Sequence, residues 1–174
     1  TNLPVIGTAG ALYHNDYERA GGSLFDTALL GTGTAMGAVR RAGVGSVEEL
    51  ALHARAAEKG YLGVRVTPNG GPTFANTDYL FPVSEGQQNI LNLEMTGSRR
   101  LDFKAANEAA GLQDLVPRGF DSPIGYVWHH VDDFNSLTGR STLELVERGA
   151  HNATVPHKGS VYQWERLNGV PYKR

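Results

Sequence analysis

Residues 125–134 read GYVWHHVDDF, where aromatic and aliphatic positions alternate around two adjacent histidines. The period of two from Ile124 predicts a strand, with Tyr126, Trp128 and His130 on one side and Val127, His129 and Val131 on the other. The two imidazoles therefore face opposite ways. Trp128 and Tyr126 read as core residues that shape the sheet. A second strand is predicted at STLELVER (141–148), after a polar loop containing TGR. Gly149 is expected to break it, and a turn or short helix through His151 and His157 follows.

Four of the six histidines thus lie within residues 129–157, the strongest chemical signal in the chain. Cysteine is absent, which excludes disulfides and thiolate metal sites and leaves histidine and carboxylate as ligands for a transition metal. Neutral imidazoles bind zinc, nickel and similar ions near neutral pH, and one left uncoordinated is suited to taking a proton from water. Four histidines divide into three ligands and one base. The alternative for His129 and His130 is a strand with one satisfied core imidazole and one exposed one. His53, on the flank of an amphipathic helix, and His14, in LYHNDYER, read as solvated or capping residues and receive no role.

With 40% hydrophobic and 20% charged residues, the 174-residue chain has the composition of a folded globular protein rather than a disordered tail. It is long enough for one domain or a small domain with an ordered extension. No apolar run approaches the roughly 20 residues of a membrane-spanning helix, so a soluble chain is expected. The first residue is Thr1 and no signal peptide follows, so a fragment or processed product is expected. The formal net charge of −2 offers no global attraction for nucleic acid. Residues 97–174 alone carry a net charge of +1, enough for only modest, salt-sensitive backbone binding.

Upstream, SVEELALHARAAEKG (46–60) predicts a helix with a capping-box spacing at Ser46 and Glu49, a face of Leu50, Ala54 and Ala57, and a stop at Gly60. The glycines of LFDTALLGTGTAMGAVRRAG lack G-x-G-x-x-G spacing and favour close packing or a connector over a dinucleotide loop. TPNGGPTFANTD (67–78) is dense in turn formers and marks the expected boundary between residues 1–70 and 71–174. NILNLEM predicts a strand, and LDFKAANEAAGL a short helix capped by Asp102 and ended by Gly111.

GYVWHHV, followed by TGRSTLELVERGAHNATVPHKG, resembles the W-H-H type of the HNH and endonuclease VII superfamily of nucleases. The upstream MTGSRRLDFKAANEAAGL resembles the approach to that strand, so the likeness covers about residues 90–160. Such domains often stand at the C-terminus of bacterial polymorphic toxins. The expected fold class is α+β. Residues 1–70, which the resemblance does not cover, read from their own sequence as a mostly helical, Gly/Ala-rich region. Over residues 71–174 the resemblance implies a ββα-metal (His-Me finger) core. It implies one divalent ion (Mg, Mn, Zn or Ni) bound by His129, with His151 and His157 completing the coordination and His130 activating water. A twisted or bulged strand end can aim both imidazoles of the pair into one cleft. His151 and His157 are six apart with Pro156 between them, wider than one helical turn, which leaves His157 open between ligand and phosphate donor. Arg140 and Lys158 are candidate phosphate contacts by position, with a solvated role as the alternative. No residue is assigned to the superfamily's asparagine position.

The function so implied is a metal-dependent, largely nonspecific deoxyribonuclease that serves as an antibacterial toxin, with DNA as substrate and RNA as the alternative. An immunity protein is the expected partner. The producing bacterium is expected to deliver the toxin, which then acts in the target-cell cytoplasm. The competing class is a metal-stabilised interaction module, in which a closed four-ligand site does no chemistry.

Overall fold

In the computed structural model, which describes residues 47–174, helix α1 (Val47–Glu58) leads into a small hairpin of β1 (Arg65–Val66) and β2 (Pro72–Thr73). Strand β3 (Ile90–Glu94) and helix α2 (Arg99–Ala109) follow. Then come β4 (Tyr126–His130), β5 (Arg140–Glu147), α3 (Arg148–Ala153) and α4 (Ser160–Asn168). The fold of these residues is α+β. His14, the glycine-bearing stretch before α1 and Ser46 lie outside the described residues.

Strands β3, β5 and β4 form an antiparallel sheet in that order, with β5 in the centre. That position explains why β5 holds an unbroken buried run from Leu143 to Val146, where a strand with one wet face would alternate. Trp128 pairs with Leu145 and His130 with Leu143, so these side chains share one face. There they meet Leu91 of β3, together with Ala106, Ala110 and Leu112, which α2 and the turn after it supply. His129 pairs with Glu144 and Val127 with Val146 on the other face. That face is covered by Leu52, Ala56, Val64, Phe74 and Ala150.

Three sequence expectations need correction. Leu52 and Ala56 are the buried face of α1, whereas Leu50 and Ala54 are exposed, because the helix packs on Phe74, Val146 and Ala150. Helix α2 begins at Arg99 with Ser98 as its N-cap, and Asp102 lies inside the first turn with a fully buried side chain. The turn-rich residues 67–78 do not connect separate bodies. They lie within one unit, Val47–Arg174, and supply β2 and the core residue Phe74.

Candidate active site

The adjacent histidines do face opposite sides of the sheet, yet both line one cavity of about 500 Å³. The topology makes this compatible: β4 is an edge strand, and the cavity runs along its unpaired edge, where either face can be reached. The segment Val155–Gly159 forms part of the wall. Ser160 N donates to Val131 O at 3.1 Å, which brings this segment against the end of β4. The approach is so close that a Cβ at residue 159 would collide with the His130 carbonyl, so glycine is required there.

On one face His129, His151 and His157 converge. One ligand nitrogen from each lies within 4.8 Å of the others. Their ring centroids form a nearly equilateral triangle with sides of 5.3, 5.1 and 5.1 Å. The wide spacing from 151 to 157 works because His151 rides on α3 while His157 sits in the loop beyond it. Arg55 of α1 donates to the carbonyls of Thr154, at 3.5 Å, and Pro156, at 3.1 Å, tying this loop down.

Hydrogen bonds fix two of the three tautomers. His129 Nε2 lies 3.0 Å from the Pro72 carbonyl, which can only accept, so the proton is on Nε2 and the lone pair on Nδ1. The Thr154 hydroxyl donates to the His151 carbonyl at 2.8 Å, which spends its only proton. It must therefore accept from His157 Nδ1 at 3.1 Å, leaving Nε2 of His157 as the free lone pair. Burial, then the neighbouring His151 and His157, hold the His129 imidazole well below its ordinary pKa. Burial and His157 lower His151 to about 4, and burial also lowers His157. All three rings are thus neutral at pH 7. Three neutral, convergent imidazoles fit a divalent ion of the zinc or nickel type.

The hairpin of β1 and β2 is clamped against this cluster. Asp132 is buried and accepts from the Thr67 hydroxyl and from Gly71 N at 2.7 Å. Glu144, across from His129 in the sheet, accepts from the Thr73 hydroxyl at 2.6 Å and from Phe74 N at 2.8 Å. Between these anchors lies Pro72, whose carbonyl meets His129.

On the other face His130 Nε2 lies 2.8 Å from Asp102 Oδ2, a carboxylate that also accepts from the Tyr172 hydroxyl. The ring of Phe103 packs beside His130 at a centroid separation of 5.5 Å. Lys158 lines the cavity, with its ammonium 4.7 Å from the centre of the Tyr162 ring. Arg99, at the start of α2, lines it as well. Arg140 is not brought there: its guanidinium is turned to β3 and bonds Asn92 through both the side chain and the carbonyl. His53 is half-buried on α1 and is not one of the three clustered histidines.

Nothing local in the sequence gives a site role to Tyr172, Glu144, Asp132 or Arg99. Asp102 stands out only as a helix cap, since no local signal shows that it meets a histidine 28 residues later and a tyrosine 70 residues later.

Residues 117–166 match the family described as "A nuclease of the HNH/ENDO VII superfamily with conserved WHH". The W-H-H of that description falls on Trp128, His129 and His130, and the matched stretch holds His151 and His157 as well. Over residues 117–166 the match supports a WHH-type nuclease domain. No curated protein and no solved structure matches the chain.

Proposed function

We propose that the protein is a metal-dependent, largely nonspecific endonuclease whose substrate is DNA. The observation that carries this reading is the triangle of His129, His151 and His157, set beside His130 in one cavity. Among the described residues no carboxylate joins the three imidazoles. A structural site would be closed by four protein ligands, whereas three leave a position for water or a phosphate oxygen. The interaction-module alternative is disfavoured on that ground.

A bound divalent ion would polarise a phosphoryl oxygen and offset the charge that builds up on the leaving group. His130, outside the triangle, takes the proton of the attacking water, an effect typically worth roughly 10² to 10⁴ in rate. Lys158 and Arg99, both on the cavity wall, supply positive charge for the phosphates that flank the scissile one. Arg140 is engaged by Asn92 and has no part in this reading.

The setting we propose is that of an antibacterial toxin module. In this setting a producing bacterium delivers the protein, it acts in the cytoplasm of the target cell, and an immunity protein restrains it. Support for this comes from the likeness of residues 90–160 to toxin-borne W-H-H domains. The test is incubation of the purified chain with supercoiled plasmid and with RNA in Mg, Mn, Zn or Ni, with chelator as control. Nicking that requires metal and is abolished by His130→Ala is expected. Absence of cleavage under every condition would refute the proposal, and cleavage of RNA alone would move the substrate to RNA.

A further inference from the structure

His130 has two ring nitrogens, and only one of them can accept a proton from water. Its Nε2 faces Asp102 Oδ2. Asp102 is 2% exposed, and burial alone would raise its pKa. Hydrogen bonds from His130, Tyr172 and Thr96 outweigh that effect and hold the carboxyl below its ordinary value, so it stays an acceptor. The proton of His130 therefore sits on Nε2. Nδ1 has no protein partner, yet among the described residues only Arg55 Nε and Ser160 Oγ are buried polar atoms without one. Nδ1 is thus open to the cavity that His130 lines.

We infer that Asp102, braced by Tyr172, is a positioning residue that holds His130 in its Nε2–H tautomer and leaves Nδ1 as the basic nitrogen. The inference deepens the proposed function and rests on His130 acting as the base. The bracing is specific. The chain around Tyr172 is tied to the start of α2 by Arg99 N to Lys173 O and Lys173 N to Gly97 O, each 2.9 Å. Tyr172 N donates to Glu165 Oε1 at 2.8 Å, and its ring packs edge-on against Trp164. Oδ1 of Asp102 accepts from Thr96 N at 2.9 Å and from the Thr96 hydroxyl at 2.7 Å. Each carboxylate oxygen is therefore committed to a defined set of donors.

That commitment determines what an amide would do in the same place. In Asp102→Asn the carbonyl oxygen must stay at the Oδ1 position, because Thr96 N–H is an obligatory donor. The amide nitrogen then takes the Oδ2 position and donates to His130 Nε2. The ring proton is driven to Nδ1, the nitrogen that needs to be free.

The experiment pairs nitrogen-resolved NMR of the imidazoles with plasmid-cleavage kinetics on the full chain. Wild type is expected to show His130 protonated on Nε2. For Asp102→Asn the proton should move to Nδ1 and kcat should fall on the order of 10² to 10⁴, with KM and metal affinity unchanged. Tyr172→Phe should keep the Nε2–H tautomer and lose far less activity. A wild-type spectrum with the proton on Nδ1 would overturn the inference without any variant having to fold. So would an Asp102→Asn protein with wild-type kcat while His130→Ala is dead. Cleavage retained by His130→Ala is a different result, since it removes the base assignment itself.

Discussion

His157 reaches the triangle from a loop, whereas His129 and His151 come from a strand and a helix. Its free nitrogen is nonetheless set by Thr154 as firmly as that of His129 is set by Pro72. The His157→Ala variant should therefore lose divalent-ion affinity as severely as His129→Ala. Calorimetric titration should find losses beyond the roughly 10- to 100-fold typical of removing an outer partner. A His157→Ala protein with wild-type affinity would return this residue to the role of phosphate donor. The depressed imidazole pKa values also make a stability prediction. The unfolded chain takes up protons near pH 6.5, while folded His151 resists until about 4 and His129 and His157 are likewise depressed. Between those limits the unfolded state binds more protons, so stability is lost as pH falls. Burial raises Glu144 and opposes this, one group against three. The melting temperature of metal-free protein should drop from pH 7 to pH 5. A flat or rising profile would contradict the burial and neutrality of the cluster.

Two elements owe their placement to contacts that no local pattern announces. The loop between α3 and α4 is pinned by Arg55 on one side and by the approach of Gly159 to His130 on the other. Gly159→Ala should destabilise the protein by about 1 to 3 kcal/mol, the usual cost of forcing volume into a packed site, measurable by urea unfolding. Arg55→Ala removes the donor to two loop carbonyls. It should weaken metal binding several-fold with a smaller effect on stability, and an unchanged affinity would show that the loop holds its shape alone. The strands and the tail of α2 were legible because the alternation in 126–130, the β-branched and aliphatic residues Thr142, Leu143, Leu145 and Val146, and Gly111 are local signals. The start of α2 was not. Asp102 has the chemistry of a cap, but its carboxylate is drawn under Tyr172 and His130 by tertiary packing. The turn and second strand of the hairpin fall within residues 67–78, which read as a boundary because glycine, proline and asparagine mark turns equally well inside a site and between domains. The buried carboxylates that clamp it, Asp132 and Glu144, declare themselves only once the strands are paired.

In the molecule as a whole, the sheet sets two chemistries back to back on one edge strand, a triangle of neutral imidazoles on one face and a carboxylate-braced imidazole on the other. The histidine count was plain in the sequence, and so was the opposed direction of His129 and His130. What the sequence could not supply was the edge position of β4, which depends on β3 pairing with β5 and lets one cavity serve both faces. The most direct test is titration of the metal-free full chain with cobalt(II), followed by visible absorption. A band that saturates at one ion per chain, and is lost in each of His129→Ala, His151→Ala and His157→Ala but kept in His130→Ala, is the predicted result. Absence of binding, or binding that survives loss of the triangle, would contradict it.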